Sequence, residues 1–119
     1  MSEAKTYLGG CHCGKVRFSV TTALGPVISC NCSICQRKGH LLTFVSAEQF
    51  TLLSGDDALT DYQFNKHNVH HLFCATCGIQ SFTWGTGQGG QKMYSVNARC
   101  LDEIDLSTLT VRHVDGRSR

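Results

Sequence analysis

Gly9-Gly10-Cys11-His12-Cys13-Gly14-Lys15-Val16-Arg17-Phe18-Ser19-Val20-Thr21 carries two signals side by side. From Lys15 onward polar and apolar residues alternate, which sets Val16, Phe18 and Val20 on one side of the chain. A period of two is that of a strand with one buried face. Just before it, two cysteines separated by one histidine make a loop short enough to wrap a metal ion. Together they predict a small β fold stapled by metal.

Working outward, similar short strands are expected at Leu41–Val45, Phe50–Leu53, Leu59–Phe64, Val69–Phe73, Ile79–Trp84, Met93–Asn97 and Leu109–Val114, with glycines and polar clusters between them. Ser46-Ala47-Glu48-Gln49 reads as one capped helical turn, with Gln49 three residues after the capping serine. A further turn is expected within Leu101–Leu106. No window holds apolar residues at helical spacing for a dozen residues, so the class is mainly β.

The chain has 119 residues and a mass of 13.0 kDa, within the range of one domain, 1–119. No repeat or low-complexity tail divides it, and there is one proline, Pro26. An apolar share of 41% argues against disorder. A formal charge of +2 is too mild to argue for nucleic acid or an anionic membrane. The longest near-continuous apolar stretch, Leu41 to Val45, is far short of the roughly 18 residues of a membrane span. Met1 to Lys5 is polar and no apolar stretch follows, so no secretory signal is expected and the cytoplasm is the expected compartment.

Eight cysteines are the most informative count. They fall as Cys11-His12-Cys13, Cys30-Asn31-Cys32-Ser33-Ile34-Cys35, Cys74-Ala75-Thr76-Cys77 and the single Cys100. Without a route to an oxidising compartment, disulfides are the weaker reading and metal the stronger. A redox Cys-x-x-Cys needs a strand-to-helix context, and Cys74–Cys77 lies between strands. None of the usual ferredoxin spacings occurs. Gly78 after Cys77 suits a knuckle, because glycine takes a left-handed backbone that lets N–H groups point at thiolates.

Seven clustered cysteines divide as four plus three. Cys11, Cys13, Cys74 and Cys77 could close a structural zinc site, which has four protein ligands. Cys30, Cys32 and Cys35 would then hold a second zinc with one position open, the pattern of a catalytic site. Cys100 or a histidine could instead complete the triplet and make both sites structural. Filling both sites with zinc would shift the net charge from +2 to about −1.

At these residues the sequence resembles the glutathione-dependent formaldehyde-activating enzyme family. The likeness rests on Gly9-Gly10-Cys11-His12-Cys13-Gly14, on Cys30 to Cys35, on Phe73-Cys74-Ala75-Thr76-Cys77-Gly78 and on Val96-Asn97-Ala98-Arg99-Cys100-Leu101-Asp102, in order over about 7–114. It implies an Mss4-like fold of short coiled antiparallel sheets. It also implies a structural zinc on Cys11, Cys13, Cys74 and Cys77, and a catalytic zinc on Cys30, Cys32 and Cys35. The reaction implied is that of a carbon–sulfur lyase joining glutathione and formaldehyde as S-hydroxymethylglutathione. Gln36-Arg37-Lys38-Gly39-His40 departs from the longer basic, small-residue stretch often found after the triplet. Tyr62-Gln63-Phe64-Asn65-Lys66-His67, with His71, looks closer to the centromere protein V-like branch.

The chemistry suits this assignment. An incoming thiol could take the open position and attack an aldehyde carbon as thiolate, giving a hemithioacetal. The alternative is a zinc-stabilised binding module without catalysis, for a protein or nucleic-acid partner. Among other residues, Arg37, Lys38 and His40 could attract glutathione carboxylates or form a solvated turn. His67, His70 and His71 read as surface or hydrogen-bonded histidines, with a proton-transfer role for one of them as the sharper reading. His12 reads as exposed and Cys100 as a buried free thiol. Gly85–Gly90 reads as a hairpin tip, Trp84, Phe82 and Phe18 as core, and Arg112, His113, Arg117 and Arg119 as a solvated tail.

Overall fold

The computed structural model describes residues 4–64 and 69–118. His67 and Arg119 lie outside the described residues. Among the described residues, ten strands form two sheets. β1 (Lys5–Gly10), β2 (Arg17–Thr22) and β5 (Phe50–Ser54) make a three-stranded sheet in the order β1-β2-β5. The other strands are β3 (Val27–Cys30), β4 (Leu42–Ser46), β6 (Leu59–Tyr62), β7 (Val69–Cys74), β8 (Phe82–Thr86), β9 (Lys92–Asn97) and β10 (Val111–Val114). They form a seven-stranded sheet in the order β10-β3-β4-β9-β8-β7-β6. This is the mainly β architecture of short sheets that the resemblance implies.

The alternation read at Lys15–Thr21 is realised: Val16, Phe18 and Val20 are fully buried. Phe18 stacks on Phe50 with ring centroids 5.4 Å apart and meets Phe82 edge-on at 6.4 Å. Phe50 in turn stacks on Tyr94 at 4.3 Å. These four rings come from both sheets and fill the space between them. Ser46-Ala47-Glu48-Gln49 forms the expected turn, and the Gln49 side chain accepts the Ser46 N–H at 2.9 Å. Gly85–Gly90 is the tip of the β8–β9 hairpin. Short 3-10 turns lie at Ala98–Cys100 and Leu106–Thr108, flanking the Leu101–Leu106 expectation.

Three differences follow from packing that a local pattern does not show. β10 pairs with β3 in parallel, joining residues more than eighty positions apart, whereas every other pairing is antiparallel among the described residues. A helix, α1 (Ser33–Lys38), follows β3. It has no buried residue, so it leaves no apolar stripe to read. Trp84 is a correction: it stands half-buried outside the core, with His70 stacked on one ring face at 3.8 Å and Lys92 Nζ 4.3 Å from its centroid.

Candidate metal centres

Cys11 and Cys13 lie in the turn between β1 and β2. That turn is closed by the Cys11 N–H donating to the Val16 carbonyl at 3.0 Å, and the Val16 N–H points at Cys11 Sγ at 3.3 Å. Cys74 ends β7. The chain then turns back through Gly78, whose φ of +80° is the left-handed conformation expected of the knuckle. The Gly78 N–H donates to the Cys74 carbonyl at 2.8 Å and the Cys74 N–H to the Ile79 carbonyl at 3.0 Å.

These two turns bring four sulfurs together, all within 4.8 Å of one another. The Cys11–Cys13 and Cys13–Cys74 sulfur separations are each 3.6 Å. Four sulfurs at the corners of a tetrahedron with 2.3 Å metal bonds stand about 3.8 Å apart, so the group fits a closed four-thiolate site. Its protons are divided unevenly. The Ile79 N–H, with further hydrogen bonds from the Cys13 backbone and neighbouring thiols, holds Cys77 down to about 6. Cys74 is also lowered, chiefly by the Cys77 N–H. Cys13 receives the Lys15 N–H, but desolvation and the thiols of Cys11, Cys74 and Cys77 outweigh it and push it up to about 11. The turns favour thiolates that repel one another, and a bound cation resolves that conflict.

The second group is built by the β3–α1 junction. Cys30 ends β3, Cys32 caps α1 in an extended conformation, and Cys35 lies one turn into the helix. Their sulfurs also lie within 4.8 Å of one another. Burial opposes ionisation of Cys32. It is outweighed by hydrogen bonds from the Cys35 backbone, the Cys35 and Cys30 thiols and the Ile34 backbone, so Cys32 is held below the usual thiol value. Burial, then the neighbouring Cys32, pushes Cys35 up. The group consists of three sulfurs, and among the described residues neither Cys100 nor a histidine nitrogen lies within 4.8 Å of all three. Cys100 is half-buried near the Gln80 carbonyl, and burial raises its thiol. A cavity of about 380 Å³ opens beside the triplet, lined by Cys30, Asn31, Cys35, Gln36, His113 and Asp115 among others.

His40 stands apart from the expectation of an anion-attracting or solvated residue. It is 5% exposed, and its Nε2 lies 3.3 Å from Cys35 Sγ. Burial, reinforced by the charges of Lys38 and His71, pushes it down to about 4. The neutral ring is therefore suited to donating an N–H to a Cys35 thiolate. The one sequence signal was a histidine five residues after the last cysteine. Arg37 donates to the Ser33 carbonyl at 2.8 Å, and Lys38 Nζ sits 5.6 Å over Phe73. Both line a groove with Tyr62 and Phe64 rather than the cysteine cavity.

The remaining candidates separate cleanly. His12 is exposed and belongs to neither group. His70 is hydrogen-bonded, with its Nδ1 2.6 Å from Asp61 Oδ2. His71 is buried, with its ring stacked on Phe64 at 5.3 Å, and burial lowers its pKa. Arg117 is a correction to the solvated tail: it bonds to both Asn31 and Gln36.

The sequence model of the glutathione-dependent formaldehyde-activating enzyme family matches residues 6–113. A crystal structure of a Rhodobacter sphaeroides protein is similar, with 27% identity and a TM-score of 0.76. The match covers 88% of this chain and 99% of that one.

Proposed function

This chain belongs to the glutathione-dependent formaldehyde-activating enzyme family, and from that premise we propose that it is a zinc-dependent carbon–sulfur lyase that forms or cleaves a thiol–aldehyde adduct, with glutathione and formaldehyde as the family's pair. In this reading the whole chain acts as one cytoplasmic domain. Cys11, Cys13, Cys74 and Cys77 hold a structural zinc, and Cys30, Cys32 and Cys35 hold the catalytic one. The observation that carries the reading is the contrast between the two groups: four sulfurs gather in one, while the other has three, and its Cys30 and Cys35 line a cavity of about 380 Å³.

A zinc ion held by three thiolates would lower the pKa of a further thiol in its open position and orient it as the nucleophile. The chain's own residues prepare that position. The N–H groups at the start of α1 favour the Cys32 thiolate, and neutral His40 holds its Nε2 3.3 Å from Cys35 Sγ, where its N–H tautomer would donate to a thiolate. A hydrogen bond to a ligand sulfur fixes the orientation of that ligand. The thiol gives up its proton, its sulfur adds to the aldehyde carbon as the C–S bond forms and the C=O π bond opens, and the oxygen takes a proton in place of the one the thiol released to become hydroxyl. The lyase direction reverses each step.

Cys32→Ser tests this assignment. The variant should keep its fold and one of two zincs, and should lose the enzyme-catalysed part of glutathione–formaldehyde exchange read by NMR. Unchanged exchange with both zincs retained would refute the role of the triplet.

The alternative function is a zinc-stabilised binding module. It is favoured by exposed Phe44, Tyr62 and Val69, which share one face of the large sheet by register. The centromere protein V-like features near Tyr62 and His71 belong with this second reading. A module would show no catalysed exchange in the wild type either.

A further inference from the structure

The three-cysteine group is walled by residues from the other end of the sequence. β10 runs parallel to β3 and pairs Val114 with Cys30, and the Asn31 N–H continues the ladder to the Val114 carbonyl at 3.2 Å. Beyond the strand the chain crosses the cysteines. Asn31 Nδ2 donates to Asp115 Oδ1 at 3.0 Å, and the Arg117 N–H donates to Asn31 Oδ1 at 3.0 Å. One amide therefore grips the segment on both sides of Gly116, using its donor and its acceptor. The Arg117 guanidinium makes an outer tie to Gln36 on α1.

Gly116 passes against the sulfurs themselves. A Cβ placed there would stand 2.5 Å from Cys30 Sγ and 3.2 Å from Cys32 Cβ, so any side chain would have to displace the segment or the ligands. The cavity that remains carries polar side chains, Ser29, Asn31, Gln36, His113 and Asp115, on a lining that is about half apolar.

We propose that Asp115–Arg117 is the wall that sets access to the three-cysteine centre, and that Asn31 is the positioning residue that holds it there. The wall admits small polar thiols along the remaining cavity and slows escape of the metal. This rests on the reading of the triplet as a thiol-binding metal centre. Asn31 reaches the chemistry only through the segment it grips.

The test uses the zinc-loaded full chain and reads transfer of the more labile metal to a colorimetric chelator. Asn31→Asp removes the donor to Asp115 and sets two carboxylates against each other. It should speed that transfer by about tenfold, the scale of one lost charge-assisted hydrogen bond. Adding Asp115→Asn swaps the donor and acceptor. It should bring the rate back toward that of the wild type, at the same net charge as Asn31 paired with Asp115. A stability effect alone would move the melting temperature and leave the transfer rate of the folded protein unchanged. If Asn31→Asp does not fold, Gln36→Ala cuts the outer tie alone and should speed transfer in the same direction. Transfer at the wild-type rate in the folded variant, or no rescue in the double variant, overturns the proposal. The same proteins loaded with cobalt report thiol binding through the sulfur-to-metal charge-transfer band, titrated with 2-mercaptoethanol and with glutathione. A band that no thiol changes sinks the thiol reading, while metal transfer still decides the wall.

Discussion

His40 shows how much of this protein's chemistry depends on one side chain's surroundings. In the sequence it stands in a short polar run that reads equally as a solvated turn. In the fold it is buried against Cys35 and kept neutral. Its folded pKa of about 4 lies below the ordinary value of 6.5, so the folded state resists protonation. The stability this contributes is complete above about pH 6.5 and is lost as the pH falls toward 4. His40→Gln removes that titration while keeping a polar group. Urea unfolding should therefore show the wild type losing more stability than the variant between pH 6.5 and 4. Parallel pH profiles would mean that His40 is not held neutral. His71 is lowered in the same direction, chiefly by burial.

At the scale of elements, the four-cysteine group joins two sheets that share no strand. Cys11 and Cys13 sit where β1 turns into β2, in the small sheet. Cys74 and Cys77 sit where β7 leaves the large sheet. A metal there is a cross-link between sheets, and structural zinc sites supply folding free energy directly. Cys77→Ser should lower the melting temperature by at least about 10 °C or abolish the cooperative transition. Circular dichroism with metal analysis checks both. A variant that melts like the wild type with one metal fewer would show that the sheets hold together without the staple. The elements themselves were unequally legible. β2, β5 and β9 alternate or carry β-branched and aromatic residues. β1 ends in Gly9-Gly10 and β3 is four residues long, so neither carries a periodic signal. α1 was equally silent, because its role is to carry cysteines and not to bury a face.

The whole molecule places two different centres in one small fold, and they should part with metal differently. In the proposed reading the four-sulfur group is closed, and loss of an ion held there would remove the metal cross-link between the sheets. The three-sulfur group would keep an open side, and loss of an ion held there would leave the aromatic packing of Phe18, Phe50, Phe82 and Tyr94 in place. A chelator added to the loaded protein should draw one equivalent rapidly with the near-ultraviolet circular dichroism retained. The second should leave slowly, together with loss of that signal. A single phase that removes both metals and unfolds the chain would contradict this division. Among the described residues no helix is long and apolar enough to cross a membrane.

The sequence by itself determined what depends on neighbours along the chain. That includes the mainly β class, the knuckle at Cys74–Gly78, the turn at Ser46–Gln49 and the clustering of seven cysteines into three short runs. Spacing and alternation act over a few residues, and these features need nothing more. Tertiary structure alone decided what joins distant residues. It closed the four-sulfur group from two turns more than sixty positions apart, left Cys100 outside both groups, and buried His40 against Cys35. It also laid Gly116 against Cys30 through the parallel β3–β10 pair. No local pattern encodes a contact between residues 30 and 116. It exists because two short strands far apart in the chain pair in parallel and complete one edge of the large sheet.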